Sequence, residues 1–162
     1  MLGVATKKAK QKGFTLIEIL LVIGIIAVLA TVVIVSLDPA TRFKNARDSR
    51  RLSDIQSILS ATQQYIVDNK GLLPSGVDSA ERQIGTSSSG CSISGKCGVT
   101  VDSCLDMSDA TISLGHYLKS IPFDPANGSN GTTHYSIQAD SNNIVTVIAC
   151  DSDDATISSV SR

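Results

Sequence analysis

The sequence predicts an α+β chain: one long N-terminal helix, part membrane-spanning and part amphipathic, packed on a small antiparallel β-sheet head. Three observations predict it. Residues 14–37 are almost wholly apolar, residues 41–69 place apolar side chains at helical intervals, and residues 133–150 hold two β-rich runs joined by a polar turn. The 162 residues suffice for one domain of ordinary size and an appendage.

The segment Phe14–Leu37 carries a single charge, Glu18. As a helix rising about 1.5 Å per residue it reaches roughly 36 Å, enough to cross a hydrocarbon core about 30 Å thick. Four of the fourteen basic residues, Lys7, Lys8, Lys10 and Lys12, precede it with no acid among them. That asymmetry holds residues 1–13 in the cytoplasm and sends the remainder outward. The apolar run is too long for an ordinary secretory signal, and Ser36-Leu37-Asp38-Pro39 after it offers no small-residue cleavage site. Gly24, Ala27 and Ala30, at three-residue steps, permit close helix approach; Gly24 equally marks a point where the helix can loosen.

Asp38-Pro39 reads as an N-cap followed by proline at the first helical position, which restarts or kinks the helix. Beyond it, Leu52, Ile55, Ile58, Leu59, Thr62, Tyr65 and Ile66 form one face, and Asn69-Lys70-Gly71 supplies a stop with Gly71 as the left-handed cap. The expected organisation is thus residues 1–13 as a leader, 14–37 as membrane helix, 38–70 as amphipathic stalk and 71–162 as an exported head. In the head, the spacing predicts at most a short strand at Val99–Val101, a short helix within 104–120, and turns at 121–131. Strands follow at Thr133–Ala139 and Ile144–Cys150, joined by Asp140-Ser141-Asn142-Asn143, with an edge strand at Ala155–Val160.

The formal net charge of −1 gives no reason to expect a nucleic-acid partner, but its distribution is uneven. From residue 71 onward ten acids face four bases. Arg42, Lys44, Arg47, Arg50 and Arg51 cluster just after the anchor. Their preferred role is pairing with the acidic head of an adjacent subunit, ahead of lipid headgroups or DNA. Phe43 alone interleaves them, too little aromatic surface for a single-strand platform.

Cys91, Cys97, Cys104 and Cys150 all lie in the exported part, which points to two disulfides. Their spacing suits neither a zinc knuckle nor a C-x-x-C redox pair. The connectivity stays open, with Cys91–Cys97 as a local loop and Cys104–Cys150 as a long-range staple preferred. His116 and His134 stand apart from any nucleophile motif, so no enzyme is expected.

The informative motif is Lys12-Gly13-Phe14-Thr15-Leu16-Ile17-Glu18, leading into the apolar run. It resembles the cleavage and methylation motif of type IV prepilins and of the pseudopilins of type II secretion. The resemblance implies a pilin-like fold and cleavage between Gly13 and Phe14 by a prepilin peptidase. It also implies methylation of the new Phe14 amino group. A carboxylate in a membrane helix costs about 2.5–3.5 kcal/mol, so Glu18 needs a partner, and the freed Phe14 amine supplies one within or between subunits. The passages Gln64–Pro74 and Tyr117–Pro125 resemble the stalk end and pre-strand loop of the same group, where major pseudopilins often carry calcium. Asp124, Asp140 and Asp151 are the acids available for such a site; a calcium ion takes about six to eight oxygens, and solvated turn aspartates with no metal or cofactor are expected.

The resemblance further implies self-association, association with other pilins and an inner-membrane assembly platform, while the charge balance and the sparse aromatics lead us to expect no specific nucleic acid. The chain is expected as a single-pass membrane protein that becomes part of an extracytoplasmic surface filament. The leading expectation is a structural subunit of a type IV pilus. The alternatives are a major pseudopilin and, from another class, an uncleaved membrane-tethered binding module.

Overall fold

The computed structural model describes residues 13–109, 114–154 and 159–162. The predicted leader therefore lies outside the described residues apart from Gly13. The chain divides into two units, Met1–Ala40 and Thr41–Arg162.

The first unit is dominated by helix α1, Leu16–Leu37, every apolar side chain of which is exposed. In water such a surface is unstable; it suits a hydrocarbon solvent or a stack of like helices. Backbone groups inside it are satisfied by the helix itself, and Thr31 Oγ1 donates to the Ala27 carbonyl at 2.9 Å. The interruption falls at Asp38, whose backbone takes the left-handed region (φ 37°), and Pro39 opens helix α2, Pro39–Asp68. The proline thus occupies the first turn, where its missing N–H is harmless; the residue that leaves helical geometry is the aspartate before it.

In the second unit, α2 buries Ile55, Ile58, Leu59, Ala61 and Thr62 on the face that the periodicity marks, with Leu52 and Ile66 packed beside them. It ends one residue earlier than its sequence suggests. Lys70 (φ 58°) and the expected Gly71 (φ 88°) both take left-handed backbone, and the Gly71 amide donates to the Ile66 carbonyl at 2.8 Å, a Schellman-type closure.

Opposite α2, the described strands form one antiparallel sheet in the order β1 (Arg82–Gln83), β2 (Tyr135–Ala139), β3 (Val145–Ala149), β4 (Ser159–Ser161). Register pairs Tyr135 with Ala149, Ile137 with Val147 and Ala139 with Val145. Because side chains alternate along a strand, these six share one face, and that face meets α2 in the main core. Burying a side chain such as Ile55 or Ile137 contributes about 1.5–3 kcal/mol. The β2–β3 turn is organised by Asp140, whose Oδ1 accepts from the amides of Asn142 and Ile144, both at 2.8 Å. Ile144 therefore belongs to the turn and not to the strand.

The other sheet face is covered by the cysteine loop. Val99, Cys97 and Cys150 form a second small cluster with Ile93 and Ile148. The disulfides join Cys91 to Cys104 and Cys97 to Cys150, which corrects the preferred pairing of Cys91 with Cys97 and Cys104 with Cys150. The reason is local folding. Ile93 and Val99 bridge each other and the Cys91 amide donates to the Asp102 carbonyl, so residues 91–104 double back and bring their two ends together. Cys97 sits near the bend, free to reach Cys150 just past β3. Val99 makes only that isolated bridge, not a strand. Of the helix expected within 104–120, a single 3-10 turn is seen at Leu114–His116, and residues 110–113 lie outside the described residues. The edge strand is described from Ser159 only.

Candidate functional site

Two places carry the residues that the sequence singles out. The first is the helix start. Thr15 has extended backbone (φ −81°, ψ 152°) and caps α1: its Oγ1 accepts from the Glu18 amide at 3.3 Å. Reciprocally, the Glu18 carboxylate accepts from the Thr15 amide at 2.7 Å and from Thr15 Oγ1 at 2.8 Å. This is a capping box, in which the carboxylate satisfies a helix-terminal N–H that has no partner within the helix and sits at the positive end of the dipole.

Two consequences follow. Residues 13–15 stay outside the helix, so the Gly13–Phe14 peptide bond lies in irregular chain where a protease can reach it without unwinding a turn. Among the described residues nothing lies within 4 Å of a Cβ built on Gly13, and Phe14 is 84% exposed. Glu18 also has donors before any cleavage, from Thr15, one residue from the nitrogen that cleavage would free. The Thr15 contact lies outside the residues that the resemblance singles out, although its signal, T-x-x-E, is present in the sequence.

The second place is a buried junction between α2 and the head. Arg51 is 2% exposed and meets three carboxylates. Its Nε and Nη2 donate to the two oxygens of Asp124 at 2.5 and 3.2 Å, and its Nη1 donates to Asp48 at 2.8 Å and Asp153 at 3.1 Å. Asp48 also accepts from the amides of Asp153 and Asp154, and Asp124 from those of Ala126 and Asn127. Burial alone pushes the Asp124 carboxyl up, but hydrogen bonds from Arg51 and those amides hold it below the usual carboxylate range. Hydrogen bonding from Arg47 does the same for Asp153. Burial pushes the Asp54 carboxyl up, only partly offset by the Tyr135 hydroxyl at 2.9 Å and by Arg50.

These contacts revise the reading of the basic cluster. Arg47 and Arg51 pair with the acidic head of their own chain, and Arg50 lies 3.8 Å from Asp54 on its own helix. Two of the five cations therefore go to holding helix and head together, and are not surface offered to a neighbour.

The three aspartates that a calcium site would draw on each have another role. Asp124 faces Arg51, Asp140 closes the hairpin turn, and Asp151 accepts from Asn127 Nδ2 at 2.7 Å and lies 3.0 Å from His134 Nδ1. Among the described residues no three His, Cys, Asp or Glu side chains converge as a cation site. Gly128 is needed here for close approach, since a Cβ would stand 2.4 Å from the Asp124 amide nitrogen.

Residues 8–34 match the family described as the prokaryotic N-terminal methylation motif. No curated protein and no solved structure matches the chain. The matched stretch covers the basic flank, Gly13, Phe14, the Thr15–Glu18 box and most of α1. The N-terminal region of this chain is thus a prepilin-type methylation motif, of the kind that opens type IV pilins and pseudopilins.

Proposed function

We propose that the chain is a structural subunit of a type IV pilus. A prepilin peptidase removes residues 1–13, the Phe14 amine is methylated, and α1 passes from the membrane into the core of a surface filament. The observation that supports this reading best is the junction at the head of α1. The scissile bond lies outside the helix, and a carboxylate waits four residues beyond the nitrogen that cleavage frees.

Glu18 then has two successive partners. In the precursor it holds Thr15; in the mature subunit it takes the cationic amine, its own or that of an incoming neighbour, which sets axial register. The almost wholly apolar surface of α1 serves first as anchor and then as packing surface. An inner-membrane platform and other pilins are the expected partners, and the acidic, disulfide-bonded head is the outward face.

Deletion of the chain combined with electron microscopy tests the reading. Loss of surface fibres, restored by wild-type chain but not by Glu18→Ala, supports a pilus. Intact fibres with lost protein secretion would instead assign it to a secretion pseudopilus.

A further inference from the structure

The loop Asn127-Gly128-Ser129-Asn130-Gly131 contains two Asn-Gly pairs, and the fold treats them differently. The chemistry at issue is cyclisation. The glycine amide nitrogen attacks Cγ of the asparagine side chain, a C–N bond forms, and the side-chain nitrogen leaves as ammonia. Water then opens the succinimide at either carbonyl, giving aspartate or isoaspartate. The glycine N–H must lose its proton to hydroxide, and the asparagine side chain must be free to turn towards it.

Asn127 meets neither condition. Its Nδ2 donates to Asp151 at 2.7 Å, and the Gly128 amide donates to the Asp124 carbonyl at 3.1 Å. Asn130 meets both. Its exposed side chain makes no hydrogen bond among the described residues, and the Gly131 N–H has no acceptor among them. In addition, the Asn130 carbonyl accepts from the Thr86 amide at 3.1 Å and from Thr86 Oγ1 at 3.3 Å. As the Gly131 nitrogen loses its proton, negative charge spreads onto that carbonyl oxygen. Thr86 therefore stands where an oxyanion donor would.

We propose that Asn130 is a site of spontaneous deamidation, with Thr86 as the positioning residue that activates the Gly131 amide, and that Asn127 is protected by its contacts. The product adds a carboxylate to an already acidic head. Its isoaspartyl form also inserts a methylene between the residue-130 Cα and the carbonyl that precedes Gly131, which displaces the acceptor of the Thr86 hydrogen bond and loosens that seam. The inference stands apart from pilus assembly and concerns any long-lived extracytoplasmic form of the chain.

The test is peptide mapping by mass spectrometry of the purified full chain, disulfides intact, during incubation in neutral and mildly alkaline buffer. Asn130 is expected to convert at least about tenfold faster than Asn127, a ratio equivalent to about 1.4 kcal/mol in barrier, and faster at higher pH. Denatured, reduced chain should bring the two rates together. Thr86→Val should slow Asn130 several-fold and leave Asn127 unchanged. Equal rates at the two sites in the folded chain would overturn the proposal, and an undiminished Asn130 rate in Thr86→Val would overturn the role of Thr86.

Discussion

Arg51 holds Asp124 through two of its nitrogens, at 2.5 and 3.2 Å, across 73 residues of sequence and with both side chains sealed from water. A lone buried charge costs several kcal/mol, so each member of this pair is tolerated only because of the other. The same guanidinium also meets Asp48 and Asp153. It thereby ties α2, the loop before β2 and the segment after β3 into one body.

Arg51→Met keeps the volume but leaves Asp48 and Asp124 buried without their cation. Loss of about 3–5 kcal/mol is expected, measured by urea unfolding of the detergent-solubilised chain. Arg50→Met, which removes only a 3.8 Å pair whose arginine is largely exposed, should cost less than about 1 kcal/mol. Equal effects from the two would contradict the assignment.

The pH dependence has two opposed parts. Asp124 and Asp153 titrate below the usual range in the fold, so their stabilisation is complete above the unfolded value of about 3.9 and is lost as pH falls through the lower folded values. Asp54 titrates higher in the fold than when unfolded, so its contribution improves as pH falls through its raised folded value. Thermal unfolding should therefore show stability rising slightly into mild acid and dropping below about pH 4. Asp54→Asn should remove the rise, and Asp124→Asn should weaken the drop.

A chelator should leave the melting temperature unchanged, because the cation at the acidic junction is Arg51 of the chain itself. A melting temperature that falls with EDTA and recovers with calcium would show that an ion contributes as well.

Non-reducing peptide mapping should recover Cys91 with Cys104 and Cys97 with Cys150. The second bridge spans 53 residues against 13, so in the chain-entropy account its removal should cost about 1 kcal/mol more than removal of the first.

The legible parts of this fold are those written in local periodicity. The apolar run of α1, the Ile55–Ile58–Leu59 face of α2 and the alternation Tyr135, Ile137, Ala139 each follow from spacing alone. What stayed hidden depends on distance in the chain. Arg51 looks like one of five similar cations until Asp124 and Asp153, 73 and 102 residues away, are brought to it. Strand β1 is two residues long and exists only because Ile137 and Ser136 lie opposite. The disulfide pairing turned on the Ile93–Val99 bridge, which short sequence spacing did not suggest. At the candidate site, Gly13, Phe14 and Glu18 are legible in the motif, and the T-x-x-E spacing marks the Thr15 contact independently of it.

Thr15→Ala separates the helix cap from maturation. It removes the Oγ1 contacts with Glu18 and should destabilise the start of α1 by about 1 kcal/mol, yet cleavage should persist because the Gly13–Phe14 bond is already outside the helix. Accumulated precursor in this variant would show that the cap helps present the bond.

In the proposed pathway, proteolysis at the head of α1 frees a cation for Glu18 and so joins maturation to assembly. Intact-mass and N-terminal peptide analysis of chain recovered from cells tests it most directly. The expected polypeptide begins at methylated Phe14, with both disulfides formed. A chain that still begins at Met1 would contradict it.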